Sequence, residues 1–273
     1  MRVKRAVAGG PGLTSPDLTD DAFLGGALAI LQPRQGYRAG LDAVLLAASA
    51  PIRAGRKEKV LDVGAGVGVV GLAVARRAPR ASVTLVEREP ALARLARNNA
   101  ERNGLSSRVR VVEADVSRRL EELEQLAAEA ESFDHVLANP PYNPQGAGTV
   151  SVEALKAAAN VMPDGNLARW ARFMAAMARP GGTATMIHRA DAVGEVLQAF
   201  AGRFGDLVVF PLYPREGASA SRVLVQGRKG SSAPIELRPG LVLHGHGNSF
   251  RPEVEAILRH GAGLPLRRRP AKA

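Results

Sequence analysis

Lys59-Val-Leu-Asp-Val-Gly-Ala-Gly-Val-Gly68 joins a short apolar run to three closely spaced glycines, and a helical pattern follows over 69–77. Glycines between a strand and a helix let the backbone turn tightly and approach a ligand closely, while the first helical turn offers free N–H groups. Further strand-like apolar runs at 82–86, 109–112 and 133–138 alternate with helical patterns. This alternation predicts an α/β fold with a mostly parallel sheet covered by helices on both faces.

The last part of this alternation differs from the first. Two apolar runs at 207–210 and 223–225 have no helix-length segment between them, which predicts an antiparallel C-terminal hairpin. The charged stretch 116–131 is predicted to be a helix. After Gly230 the sequence is mostly irregular, with one short helical pattern at 252–259.

These patterns predict three regions along the chain. Residues 1–20 are dense in Gly, Pro, Ser and Thr, contain several basic residues and show no periodicity, so we expect a basic, flexible arm. Residues 21–230 contain the alternating strands and helices and are predicted to form one domain. Residues 231–273 are predicted to be a C-terminal extension that packs on this domain and ends in a basic tail.

The composition argues against a disulfide-bonded or membrane-spanning protein and favours one that binds nucleic acid. The chain has 273 residues and no cysteine, so disulfides are excluded. It contains no uncharged apolar run of the roughly 18 residues that a membrane helix needs and no signal-peptide pattern, so we expect a cytoplasmic location. A net charge of +11 and a pI near 10.9 favour a nucleic-acid partner.

The glycine-rich turn leaves two kinds of cofactor open. Gly66, Gly68 and Gly71 have the spacing of a dinucleotide fingerprint, and Glu87 lies 19 residues after Gly68, close to the position of a ribose-binding acid. A nicotinamide-dependent oxidoreductase therefore remains an alternative. Asp62 favours the other class, because a carboxylate here suits the sulfonium and amine of S-adenosylmethionine and suits a pyrophosphate poorly.

Asn139-Pro-Pro-Tyr142 directly follows the run at 133–138. Its prolines fix φ and remove two backbone donors, which predicts a stiff loop at the carboxyl end of the sheet, where ligands of such sheets bind. An aromatic amino group is a poor nucleophile. The Asn139 side-chain oxygen and the Pro140 carbonyl could accept its hydrogens while Tyr142 stacks on the ring. Asn139, Pro140, Pro141 and Tyr142 are thus the predicted catalytic residues, and the transfer requires no metal.

In order, Asp62-Val-Gly-Ala-Gly66, Glu87, Ala114-Asp115 and Asn139-Pro-Pro-Tyr142 resemble the motifs of class I S-adenosylmethionine-dependent amino-methyltransferases. The resemblance implies a Rossmann-like sheet of seven strands. It also implies that the glycine turn passes the methionine part of the cofactor, that Glu87 binds the ribose and that Asp115 binds the adenine. The expected cofactor neighbours are Arg38, Asp42, Asp62, Gly64, Ala65, Gly66, Glu87, Arg88, Asp115, Val116 and Asn139.

A narrower resemblance covers most of the chain. Asp21-Ala-Phe-Leu-Gly-Gly26, Gly36-Tyr-Arg38, Asp42-Ala-Val-Leu-Leu46, Ile187-His-Arg189 and Ser221-Arg-Val-Leu-Val225 resemble segments of the bacterial tRNA1(Val) adenine-N6 methyltransferases. This similarity implies that the segment before the first parallel strand covers the cofactor. It implies methylation of an unstacked adenine in RNA, and tRNA is the expected substrate.

Other functions remain open at this point. The same Asn-Pro-Pro-Tyr motif serves glutamine methylation of release factors, although fewer than 60 residues precede Val60, which leaves little room for those enzymes' helical domain. Guanine-N2 methylation of ribosomal RNA is a second alternative, and a non-catalytic RNA-binding protein is a third. His244 and His246 have no nearby third ligand in the sequence, so no metal site is predicted there.

Overall fold

A computed structural model describes residues 17–36, 38–53, 55–142 and 166–267. Its strands are β1 (Leu18–Phe23), β2 (Leu28–Pro33), β3 (Lys59–Val63), β4 (Ser82–Glu87), β5 (Val109–Glu113), β6 (Phe133–Ala138), β7 (Ala178–Arg189), β8 (Phe204–Tyr213), β9 (Arg222–Lys229), β10 (Glu236–Leu237) and β11 (Leu241–Val242). Its α-helices are α1 (Leu41–Ser49), α2 (Val69–Arg77), α3 (Pro90–Arg102), α4 (Glu124–Ala127), α5 (Asn166–Met177), α6 (Val193–Phe200) and α7 (Pro252–His260).

The central sheet has the strand order β10-β8-β9-β7-β6-β3-β4-β5, with β11 also paired to β8. Strands β3 to β7 are parallel, whereas β9 is antiparallel to both β7 and β8. The predicted α/β fold and its antiparallel hairpin are therefore confirmed. The seven strands β3 to β9 match the expected number. The two-residue strands β10 and β11 add to the β8 edge in parallel, so the central sheet has nine strands among the described residues.

Apolar residues on both faces of the sheet form two separate core layers. Neighbouring strand residues point to opposite faces, so Val60 and Leu61 belong to different layers. One layer packs against α1, α2, α3 and α7, and the other packs against α4, α5 and α6. Because both faces are covered, polar chemistry in this fold is concentrated at the strand ends.

The helix predicted over 116–131 is wrong for most of its length. The segment contains a 3-10 turn at Leu120–Glu122 and the four-residue α4. Glu121 and Glu124 repel each other at helical spacing, and Leu126 is the sole fully buried side chain of these two elements. Short helices depend on tertiary packing, and this segment gains too little of it to continue.

The N-terminal hairpin begins earlier than the predicted arm allows. β1 starts at Leu18, inside the stretch 1–20, and pairs antiparallel with β2 over six residues. Leu18 packs against the core and Asp20 forms an ion pair with Arg102, so tertiary contacts order these residues. Residues 1–16 of the predicted arm lie outside the described residues.

Two asparagines of α3 attach this hairpin to the domain. Asn99 accepts from the Leu31 N–H at 2.8 Å and donates to the carbonyls of Leu31 and Val67 at 2.9 and 3.0 Å. One turn later, Asn103 accepts from and donates to the Ala29 backbone. Since 99 and 103 are neighbours on one helix face, they pair with β2 as another strand would. The hairpin is thereby held beside the glycine turn.

The C-terminal residues 231–267 lie against the same domain. The helix predicted over 252–259 is confirmed as α7, which begins with Pro252 and ends at Gly261 in the left-handed region. Val254 and Ile257 of α7 are buried in the core layer of α1. The Leu264 N–H then donates to the Ala48 carbonyl at 2.8 Å, so the residues after α7 are also attached to α1.

Candidate active site

The turn between β3 and α2 requires glycine for two reasons. Gly64, Gly66 and Gly68 have φ of 67°, 57° and 93°, in the left-handed region that side chains disfavour. A Cβ on Gly64 would also lie 2.3 Å from a ring carbon of Trp170 on α5. The turn is fixed by the Ala65 N–H, which donates to the Val86 carbonyl at 2.9 Å.

Two buried carboxylates lie beneath this turn. Asp62 accepts from the Gly71 N–H at 2.9 Å, which caps the first turn of α2. Glu87 accepts from the N–H groups of Gly66 and Glu89 at 2.7 and 2.9 Å. Burial and the nearby charge of Glu87 raise the pKa of Asp62 to about 7, and burial also raises the pKa of Glu87. The ionised form of each carboxyl group is therefore destabilised.

This electrostatic arrangement distinguishes between the two cofactor classes. A pyrophosphate would add negative charge beside two desolvated carboxylates, whereas a sulfonium and an ammonium would compensate them. The Gly66 and Glu89 N–H groups donate to different oxygens of Glu87. A carboxylate has about four lone-pair sites, so acceptor capacity is left for a ribose hydroxyl. The residues present therefore fit S-adenosylmethionine.

The other predicted cofactor neighbours on this side lie at the ends of adjacent strands. Asp115 follows β5 and accepts from the Ser117 N–H at 2.9 Å. The Ala114 N–H donates to the Glu87 carbonyl at 3.1 Å, which joins the ends of β4 and β5. Val116 is buried, and Arg88 is exposed with Glu89 at 3.5 Å. We call Asp62, Gly64, Ala65, Gly66, Glu87 and Asp115 the glycine-turn cluster.

Asn139-Pro-Pro-Tyr142 follows β6, the strand paired with β3. Because Ala138 pairs with Val63, Asn139 and Gly64 leave neighbouring strands at the same edge of the sheet. The Tyr142 hydroxyl lies 3.0 Å from the side-chain oxygen of Asn139. Pro140 is buried, whereas Asn139 and Tyr142 are partly accessible. The predicted amide oxygen is thus placed at the carboxyl edge beside the glycine turn.

Three further side chains contact Tyr142 and come from distant parts of the chain. The Tyr142 hydroxyl donates to Asp42 of α1 at 2.9 Å, and Nε of Arg222 donates to the same carboxylate oxygen at 2.8 Å. The Arg222 guanidinium lies 4.9 Å from the Tyr142 ring centroid. His188 of β7 meets the ring edge-on at 5.0 Å. We call Asp42, Asn139, Tyr142, His188 and Arg222 the Asn139 cluster.

Sequence reasoning did not assign Arg222 or His188 to the site. Both reach it through the sheet, because Arg189 at the end of β7 pairs with Arg222 at the start of β9. Their place in the segments 187–189 and 221–225, which carry the narrow family resemblance, was the available signal. Burial lowers the pKa of His188, so its ring is neutral at neutral pH.

Arg38 and Asp42, predicted cofactor neighbours before the first parallel strand, make other contacts. Arg38 donates to Asp21 of β1 and to the Pro33 carbonyl of β2, each at 2.8 Å, and so links the two strands of the N-terminal hairpin. Asp42 belongs to the Asn139 cluster. Their contact with a cofactor stays a prediction.

The described ranges contain no group of three or more His, Cys, Asp or Glu side chains arranged to hold a metal ion. His244 stacks on Phe250 with ring centroids 4.6 Å apart. None of the helices in this part of the chain combines the length and apolar character that spanning a bilayer demands.

Comparison with known proteins places this geometry in a family. A model described as "Methyltransferase small domain" matches residues 42–172. The tRNA1(Val) (adenine(37)-N6)-methyltransferase of Shewanella sp. W3-18-1 is 33% identical over 111 residues, which cover 41% of this chain and 44% of that protein. The protein of the same name from Shewanella baltica OS195 is 28% identical over 190 residues, covering 69% and 76%. The first match thus spans less than half of its relative's length.

Solved structures give a longer match. A structure described as a "predicted O-methyltransferase" from Agrobacterium tumefaciens has a TM-score of 0.68 and 32% identity, covering 82% of this chain and 98% of that one. An S-adenosylmethionine-dependent O-methyltransferase from Thermotoga maritima, at 16% identity and a TM-score of 0.51, shares the fold. Because the Agrobacterium protein is 32% identical and is covered over 98% of its length, and because the domain model agrees with it, the chain belongs to the S-adenosylmethionine-dependent methyltransferases.

Proposed function

We propose that this protein methylates an exocyclic amino group, the N6 of an adenine in RNA, with tRNA as the substrate. The observation that carries the proposal is the position of Asn139. Its amide oxygen lies at the end of β6, beside the strand that leads into the glycine turn. An acceptor for amino hydrogens therefore lies next to the turn that fits the cofactor.

The cofactor supplies an electrophilic methyl group on a positively charged sulfur. The protein supplies position and aimed dipoles. The Asn139 side-chain oxygen and the Pro140 carbonyl would accept the hydrogens of the amino group and so fix the orientation of its nitrogen. The two prolines keep both acceptors in place without internal backbone donors that would compete for them.

The Tyr142 ring offers less stacking surface than the sequence predicts. Arg222 lies over the ring and His188 meets it edge-on. The substrate base can therefore use only the ring surface that these two side chains leave open. We infer that one face of the Tyr142 ring lines the space for the substrate base, and that Arg222 holds the ring in place from the other face.

An RNA substrate is supported by charge and by relatives. The net charge of +11 suits a phosphate backbone. The curated relatives carry names that specify adenine N6 of tRNA1(Val). The Agrobacterium structure carries a name that specifies oxygen as the acceptor, so the acceptor atom must be identified chemically.

The substrate is tested by labelling. The purified protein is incubated with methyl-labelled S-adenosylmethionine and, in separate reactions, total tRNA and rRNA from a strain lacking the gene, and a release factor. We expect labelled N6-methyladenosine in the tRNA digest. Label on guanine N2, on a ribose oxygen or on the release factor would overturn the substrate while retaining the fold. No label in any reaction would contradict the proposal.

A further inference from the structure

The Tyr142 hydroxyl lies between two acceptors that have different functions. Its oxygen is 2.9 Å from Oδ2 of Asp42 and 3.0 Å from Oδ1 of Asn139. A phenol has one hydrogen, so Tyr142 can donate to only one of them at a time. Burial and the charge of Asp42 raise the pKa of Tyr142 above its ordinary value, so this hydrogen is retained at neutral pH.

The choice between these acceptors affects the proposed reaction. If Tyr142 donates to Asn139, its hydrogen occupies the amide oxygen that should bind the amino group of the substrate. If Tyr142 donates to Asp42, that oxygen stays available. The hydroxyl is therefore a potential internal competitor of the substrate.

The structure favours donation to Asp42. A carboxylate is a stronger acceptor than an amide oxygen, because the hydrogen bond is charge-assisted. Arg222 fixes this carboxylate by donating from Nε to the same Oδ2 at 2.8 Å, and its guanidinium also lies 4.9 Å from the Tyr142 ring centroid. Arg222 thus holds both members of the Asp42–Tyr142 hydrogen bond.

We propose that Asp42 and Arg222 are positioning residues that draw the Tyr142 hydroxyl away from Asn139 and so keep its amide oxygen free for the substrate. This inference rests on the proposed function. The sequence predicts Asp42 as a cofactor neighbour, whereas this inference gives it a role beside the group that binds the substrate amino nitrogen. It also gives a reason why side chains of α1 and β9 contact the loop that follows β6.

The test compares Asp42→Ala in the wild-type and Tyr142→Phe backgrounds. With Asp42 removed, the hydroxyl has Asn139 as its remaining partner in this contact. We expect kcat to fall about tenfold, the effect of about one neutral hydrogen bond, with an unchanged Kd for the cofactor. In the Tyr142→Phe background no hydroxyl competes, so Asp42→Ala should cause no further loss. Asp42→Asn, which keeps an uncharged acceptor, should give a smaller loss than Asp42→Ala.

Asp21→Ala is the matched control, because Asp21 also forms a 2.8 Å ion pair with an arginine, Arg38, and its other partners are Thr19 and Gln32, away from Tyr142. Its effect should be the same in both backgrounds. A parallel double-mutant cycle on urea unfolding measures the Asp42–Tyr142 contact without any substrate, and we expect non-additive losses.

Two results would overturn the inference alone: an active wild type in which Asp42→Ala lowers kcat equally in both backgrounds, or strictly additive unfolding losses. Equal losses would indicate a structural or cofactor-binding role for Asp42. A wild type inactive on tRNA, rRNA and release factor would instead overturn the proposed function, and this inference with it.

Discussion

The glycine-turn cluster and the Asn139 cluster lie at the same edge of the sheet but are assembled over different distances along the chain. Backbone N–H groups hold the carboxylates of the first cluster, with partners 9 and 21 residues apart. Side chains hold the second, and Asp42 reaches partners 100 and 180 residues away. The two buried carboxylates of the first cluster are thus held within one βαβ unit, whereas the second cluster depends on the whole sheet.

Asn139→Ala should separate the two clusters most clearly. The variant loses the amide acceptor, and we expect kcat to fall about 10²- to 10³-fold, as for removal of one aimed group from a preorganised site. Cofactor affinity, measured by calorimetry, should stay within a factor of about 3 because the glycine-turn contacts are intact. Asn98→Ala on α3 is the control, because Asn98 is partly accessible and belongs to neither cluster. Normal turnover by Asn139→Ala would show that the acceptor assignment is wrong.

Gly64→Ala should damage the glycine-turn cluster instead. The methyl group is strained at a φ of 67° and also meets the Trp170 ring. We expect a loss of about 2–4 kcal/mol in unfolding free energy and weaker cofactor binding. Gly104→Ala is the matched control, because Gly104 has nearly the same φ, 68°, but no atom lies within 4 Å of the added Cβ. Equal losses in the two variants would exclude the Trp170 contact as a cause.

The buried carboxylates predict a pH dependence of stability. Folding raises the pKa of Asp62 from its ordinary value near 3.8 to about 7, so the folded state binds its proton more tightly than the unfolded state. Stability from this group is therefore greatest at low pH and is lost as pH rises to about 7.

Asp62→Asn removes this titration and keeps an oxygen for the Gly71 N–H. Between pH 5 and pH 8, in the absence of cofactor, the wild type should lose about 2–3 kcal/mol more unfolding free energy than the variant. Urea unfolding at both pH values measures the difference. Parallel losses would show that Asp62 is not the group responsible.

The smallest effect is expected at the N-terminal hairpin, which is held beside the glycine turn. Asn103→Ala removes the side-chain hydrogen bonds to the Ala29 backbone, at a cost of about 1–2 kcal/mol. Hydrogen exchange should accelerate in β1 and β2 more than in β3, with Asn98→Ala again as control. Uniform acceleration across the sheet would mean that the hairpin does not open independently.

Several predictions from the sequence succeeded because their causes are local. Apolar runs that alternate with helical patterns identified β3 to β6, and the short helical pattern at 252–259 identified α7. The predicted helix over 116–131 failed because its residues find little to pack against, which no local pattern reveals. Leu18 was assigned to an arm because its strand partner and the asparagines of α3 lie elsewhere in the chain.

For the candidate site, the sequence by itself determined the glycine turn, its two acids and the Asn-Pro-Pro-Tyr loop. Each of these depends on backbone conformation within a few residues or on the shared edge of parallel strands. Only the tertiary structure decided the surroundings of Tyr142. Asp42, His188 and Arg222 converge there because α1, β7 and β9 are brought to one edge by the strand order, and side-chain contacts across such separations leave no periodic pattern in the chain.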